Sequence, residues 1–272
     1  MVQHCQAYGV RFSVACEDPE LTSQVLDRLP PGTRLRTPHS GRPAFTCSVT
    51  TERAPSGAHG VRVVALDGLE LQRSYSDRPA LELFESTVRF EVARRARRWT
   101  FVHAGVVGWQ DTAIVIPGFS RAGKSTLVKA LVEGGATYYS DEFAAIDTRG
   151  RVFPFAQPLM ARTESGGRLR LSIADLGGTV GVSPLPVGLI VSTRFEAESS
   201  WNPVTLSPGA SVLVMLANTV RARVDSAGSI RMLAKVAERA QAIESERGDA
   251  AAVVTDILWR AERSRSLMRS IA

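Results

Sequence analysis

The residues with the clearest chemical logic are Gly118-Phe119-Ser120-Arg121-Ala122-Gly123-Lys124-Ser125, which satisfy G-x-x-x-x-G-K-[ST] at all four fixed positions. Glycines at both ends let the backbone curl, so that successive N–H groups, those of Ser120, Ala122 and Gly123 among them, point toward one anion. The apolar run Ala113–Ile116 leads in, and Lys124–Glu133, with helical spacing, leads out. The loop therefore opens onto a helix N-terminus, which adds positive potential. In this arrangement Lys124 places a compact charge on the β- and γ-phosphates of a nucleotide, and Ser125 offers its hydroxyl to Mg2+. Thr126 closes the loop, and Arg121 either touches phosphate or points to solvent. The chain has three lysines, Lys124, Lys129 and Lys235, so a chance match is expected roughly a few times in a thousand.

Phosphoryl chemistry also needs an acid at the end of a neighbouring strand, to hold Mg2+ or its water. Tyr138-Tyr139-Ser140-Asp141-Glu142 supplies two, with Asp141 seventeen residues after Lys124. That distance is one helix plus one strand. The plainer alternative is a pair of solvated acids at a strand edge. The spacing sets ATP and Mg2+ as the expected cofactors. A downstream LSGGQ-like signature of transporter ATPases is missing, since Arg170-Leu171-Ser172-Ile173-Ala174-Asp175 does not provide it.

The elements that must carry these groups begin near Trp99. Strands are expected at Thr100–Val107, Thr112–Ile116, Tyr138–Ile146, Val152–Phe155 and Val187–Ser192, with a helix at 124–133 stopped by Gly134-Gly135. Beyond them the periodicity predicts helices from Ser207 to about Arg221, over Ser229–Glu246 and over Ala250–Leu267. Leu213, Leu216, Val220, Met232, Leu233, Val236, Ala240 and Ile243 sit at helical spacings, as core or as an interface. Trp259 and Met268 are the interface candidates on the last helix. The first 98 residues read as a small α+β domain with a connecting helix. Its strands are Gly9–Ala15, Ala44–Thr50, Val61–Leu66 and Glu70–Tyr75, with a hairpin at Asp67-Gly68 and an exposed turn at Ala54-Pro55-Ser56-Gly57. Its helices carry Leu21, Val25 and Leu29, then Leu81, Phe84, Val88 and Val92 over about 79–97.

The order His103-Ala104-Gly105, strand, Gly118…Gly123-Lys124-Ser125, then Ser140-Asp141-Glu142 resembles the catalytic domain of HPr kinase/phosphorylase. It resembles the related stand-alone kinases of biosynthetic gene clusters as well. Arg151–Arg162, with Pro154 and Pro158-Leu159, is more similar to that branch. The resemblance covers roughly residues 99–165. It implies an α/β fold: a P-loop kinase domain of the HPr kinase / PEP carboxykinase-like type over 99–272, with a small α+β N-terminal domain and C-terminal helices. It implies an ATP-dependent serine kinase acting on a peptide or small protein, with Asp141 accepting the hydroxyl proton or holding the water or Mg2+ that does so. Glu142 then completes the Mg2+ shell with Ser125, or the two acids exchange these jobs. His103 orients the acids or contacts the γ-phosphate, or is a packed histidine at a strand end. Arg162 clamps the transferring phosphoryl group. The family also implies a homo-oligomer. The chain departs from the family in ending the loop Lys124-Ser125-Thr126, in Arg121, in Glu142, and in matching the downstream glycine-rich signature only remotely at Arg162–Gly167. These departures point away from phosphorylase action and from HPr as the acceptor. The alternatives are a small-molecule kinase and a nucleotide-binding regulatory ATPase without transfer.

The whole chain of 272 residues is 44% hydrophobic and 22% charged, ordinary for a globular protein. Its net charge is +6, and arginine makes up nearly all of the basic total. That excess is spread thinly. The local cluster Arg94, Arg95, Arg97 and Arg98 ends a helical segment, where cations complement the dipole. With no RNP, zinc-finger or basic-zipper pattern, no nucleic-acid partner is expected. The longest apolar runs are too short for a spanning helix, so no membrane partner is expected either. Three cysteines without a metal spacing and an N-terminus without an apolar core lead to the expectation of a cytoplasmic protein.

Overall fold

A computed structural model describes residues 1–37, 41–52, 60–119, 122–162 and 168–271, with the backbone alone described at 161, 162, 168 and 265–271. The expected turn at Ala54–Gly57 and loop residues Ser120 and Arg121 lie outside the described residues, as do Thr163–Gly167. The chain divides into two compact units, Met1–Arg98 and Trp99–Ala272. Among the described residues no helix is long and apolar enough to cross a membrane.

The first unit contains β1 (Val2–Ala7), β2 (Val10–Cys16), α1 (Pro19–Leu26), β3 (Arg34–Arg36), β4 (Thr46–Glu52), β5 (Val61–Leu66), β6 (Leu69–Ser74) and α2 (Asp77–Arg95). The described strands form one sheet in the order β3-β1-β2-β4-β5-β6, in which β2 and β4 run parallel. Helix α1 packs on β2, and α2 packs on β4, β5 and β6. The buried stripe of α2 is the expected one, Leu81, Phe84, Val88 and Val92. Arg62 on β5 donates to Asp18, the N-cap of α1, and to Asp77 at the start of α2, each at 2.7 Å. One guanidinium thus ties both helix starts to the sheet. The C-terminal arginines of α2 are engaged locally, Arg94 and Arg95 both donating to Glu91. All three cysteines are free and buried.

The second unit contains β7 (Thr100–Trp109), β8 (Thr112–Pro117), α3 (Lys124–Glu133), β9 (Thr137–Ser140), β10 (Phe143–Ile146), β11 (Arg151–Phe153), β12 (Leu159–Arg162), β13 (Arg168–Leu171), β14 (Leu185–Phe195), β15 (Val204–Thr205), α4 (Pro208–Ala217), α5 (Ser226–Ala237), β16 (Gln241–Arg247) and α6 (Val254–Ile271). The main sheet runs β11-β10-β7-β8-β14-β16-β15, with β9 also paired to β7, and β12 and β13 form a separate hairpin. Strand β14 is parallel to both β8 and β16. Side chains alternate across this centre. Ile114 and Ile116 pack with Leu127, Leu131 and Ile257 of α3 and α6. Ala113 and Val115 join a second cluster with Met215, Leu233 and Val236 of α4 and α5. The unit is therefore a mixed α/β sandwich with helices on both faces of the sheet.

The C-terminal helices of the sequence analysis need one correction. The helix expected over Ser229–Glu246 stops at Ala237, and Gln241–Arg247 is an inner strand of the sheet. Ala240 and Ile243 continue the spacing of α5 by coincidence, across a break at 238–240. Ala242 and Ile243 are buried in succession, in the clusters on opposite faces of the sheet, while Glu244 and Glu246 lie exposed, so the strand shows no clean alternation that would betray it. The continuous strand expected over Tyr138–Ile146 is likewise divided into β9 and β10, with Asp141 and Glu142 at the break.

Candidate active site

Strand β8 is buried throughout, between β7 and β14, so its end is a rigid platform for the loop that follows. Gly123 adopts the left-handed conformation, φ +82°, immediately before α3. A Cβ on Gly118 would lie 3.5 Å from Lys124 Cδ and 3.3 Å from Ala122 Cβ, so the first glycine leaves room for the lysine stem. Lys124 is 6% exposed, and its ammonium donates to the Phe119 carbonyl at 2.8 Å across the loop. Thr126 lies exposed in the first turn of α3.

Burial pushes the Lys124 ammonium down to about 8, against the opposing pull of Asp141 and Glu142. A phosphate contact through Lys124 requires the cation, so the affinity such a contact confers is present below that value and is lost as pH rises through it. A titration of nucleotide affinity from neutral to alkaline pH is expected to bend near pH 8. An affinity that stays flat up to the ordinary lysine range, about 10.4, would remove Lys124 from the contact.

The acidic turn is built by Ser140, whose hydroxyl oxygen accepts from the N–H groups of Glu142 and Phe143 at 3.1 and 3.0 Å. This local bond competes with the ladder and breaks the strand at the acids. Strand β9 pairs with Val106–Gly108 of β7, and β10 pairs with Thr100–His103. Both halves stay in the sheet while the acids project at the break. Asp141 then meets the loop: Ser125 Oγ donates to its Oδ2 at 3.1 Å, and Tyr138 OH donates to its Oδ1 at 3.0 Å. The carboxylate that meets Ser125 is Asp141, the first acid of the pair.

His103 lies beside this turn. Its Nδ1 is 2.8 Å from the Glu142 carbonyl oxygen, which can only accept, so Nδ1 carries the proton. Burial lowers the imidazole pKa, and the nearby Lys124 charge lowers it further. Both effects favour the neutral ring, in which Nε2 keeps its lone pair. The structure thus brings Gly118, Gly123, Lys124, Ser125, Asp141, Glu142 and His103 together. Arg162 ends β12, opposite Arg168 and on a strand that packs against α3; its side chain lies outside the described residues.

Sequence reasoning missed three contributors. Ser140 makes the break in the strand, and Tyr138 holds the second oxygen of Asp141. Arg247, at the end of the unforeseen β16, donates to the Gly123 carbonyl at 2.7 Å. The serine just before the acid pair was a readable turn signal. The other two contacts depend on register and on sheet order. A cavity of about 370 Å³ opens in the first unit beside Gln6, Arg11 and Arg36 and contains none of the expected site residues. Among the described residues no group of three or more His, Cys, Asp or Glu side chains is arranged to hold a metal by itself.

No family model matches the chain, and no curated protein is similar to it. Among solved structures it is similar to the HPr(Ser) kinase/phosphatase from Coxiella burnetii, at 14% identity and a TM-score of 0.35. That match covers 62% of this chain and 98% of the other. The relationship is a distant structural one.

Proposed function

We propose that this protein is an ATP-dependent phosphotransferase that passes the γ-phosphoryl group of MgATP to a hydroxyl, a serine of a peptide or small protein. The observation that carries the proposal is the meeting of Ser125 with Asp141 beside the buried Lys124. A glycine loop that only needed to turn would not place a lysine, a hydroxyl and a carboxylate at one point. The serine acceptor is supported only by the resemblance over residues 99–165.

In the reaction the bond between the γ-phosphorus and the β–γ bridging oxygen breaks, and one to the acceptor oxygen forms. The acceptor proton passes to the carboxylate pair of the acidic turn. Lys124 exchanges the Phe119 carbonyl for phosphate oxygens, so its charge follows the developing negative charge. Mg2+ fits here because it uses one or two protein oxygens and keeps several waters. Ser125 and Asp141 would hold it, and it would neutralise charge on the β- and γ-oxygens. His103, fixed by the Glu142 carbonyl, keeps the acidic turn seated against β7.

Labelled ATP offered with serine-containing peptides, free serine and a set of polyols tests the acceptor. Label in peptide is the expected result. Label only in a small molecule would move the acceptor class, and release of inorganic phosphate alone would move the protein to the ATPases.

A further inference from the structure

Arg247 is 1% exposed, yet among the described residues no carboxylate is hydrogen-bonded to it. Its Nη2 donates to the Gly123 carbonyl at 2.7 Å and its Nη1 to the Gly248 carbonyl at 3.0 Å. The guanidinium carbon stands 5.9 Å from the Phe195 ring centroid, and Nε is buried without a hydrogen-bond partner among the described residues. Asp249 is the acid that acts on it through space, and burial outweighs that effect. Arginine does not give up its proton inside proteins. A full positive charge is therefore stored beneath the first turn of α3, answered chiefly by carbonyl dipoles. Charges buried in this way are costly, and packing alone would be served as well by an apolar side chain of similar volume.

The Gly123 peptide shows what the charge is placed to do. Its carbonyl starts α3 by accepting from Leu127 N–H at 3.1 Å, and it also accepts from Arg247. A Cβ on Gly123 would lie 2.6 Å from Arg247 Nη2 and 3.2 Å from Phe195 Cβ, so the guanidinium fills the place of a side chain. In a planar trans peptide the carbonyl and the next N–H point in opposite directions. Holding the Gly123 carbonyl toward Arg247 turns the Lys124 N–H the other way, away from the guanidinium.

We propose that Arg247 is a positioning residue for polyphosphate, fixing the Gly123–Lys124 peptide with its N–H presented and adding a second positive charge beneath the cradle. The proposal rests on the nucleotide reading above and deepens it. The phosphates are the missing counter-charge, so the empty protein carries an electrostatic cost that ligand binding relieves.

The test compares R247M, R247Q and R247K with the wild type, by calorimetric titration with MgATP and with inorganic tripolyphosphate, alongside thermal unfolding of the ligand-free proteins. R247M is expected to lose tenfold to a hundredfold in affinity for both ligands, with an unchanged or higher Tm when empty. R247K is expected to recover part of the affinity. R247Q keeps a donor for Gly123 without the charge, is expected to bind weakly like R247M, and decides the matter if R247M does not fold. An unchanged affinity in the charge-free variants overturns the proposal, and so does an R247K that binds no better than R247Q. If the wild type binds MgATP and these variants bind it equally, the role of Arg247 alone falls. If the wild type binds no nucleotide, the nucleotide reading falls with it.

Discussion

Replacing Lys124 with alanine is expected to weaken MgATP binding at least about a hundredfold, equivalent to about 2.7 kcal/mol, and to take phosphoryl transfer below detection. The size of the effect follows from where the ammonium sits. It is nearly covered, its stem runs past Gly118, and its bond to the Phe119 carbonyl is poised for exchange. A cation in such surroundings interacts far more strongly with phosphate than one in water. Lys124→Arg is not expected to rescue, because a planar fork does not fit a cradle shaped around a compact point charge. Fluorescence titration with a nucleotide analogue and transfer of label from ATP check both parts. Transfer near the wild-type rate in the alanine variant would remove Lys124 from the site.

Asp141→Asn is expected to separate binding from chemistry. The amide has the shape of the carboxylate, so Tyr138 OH and Ser125 Oγ keep a partner and the turn stays folded. The charge is lost. Nucleotide affinity without metal should stay within about threefold, while transfer falls by roughly a thousandfold, the scale of a lost general base or metal anchor. Glu142→Gln provides the contrast. A raised Mg2+ requirement in the Asp141 variant alone assigns the metal to Asp141 and leaves the acceptor proton to Glu142; the reverse pattern exchanges the two. Wild-type transfer in the Asp141 variant would sink the catalytic assignment altogether.

Much of the site was legible because its signals are local. The glycine loop, its lysine and serine, and the acid pair lie within about one helix and one strand, and α3 spans Lys124–Glu133 as its spacing predicts. The hairpin at Asp67-Gly68 and β5 at Val61–Leu66 were equally plain, since turn chemistry and a short apolar run are both written in neighbouring residues. Strand β1 and the β12–β13 hairpin were not foreseen, because pairing partners rather than periodicity hold them.

The amino-acid sequence by itself determined the glycine-bounded turn into α3, the residue types gathered around it and the mixed α/β character of the second unit. Those follow from backbone freedom at glycine, from charge and from hydrophobic period. Only the tertiary structure decided that Asp141 is the acid that reaches Ser125. That contact depends on where Ser140 breaks a strand whose two halves both pair with β7. Tertiary structure alone also made Gln241–Arg247 an inner strand. This segment takes its conformation from its neighbours: β14 pairs with it along its whole length, with Ser192 donating to Glu244 and Arg194 to Glu246. That choice carries Arg247, 124 residues away from Gly123 in sequence, to the back of the loop.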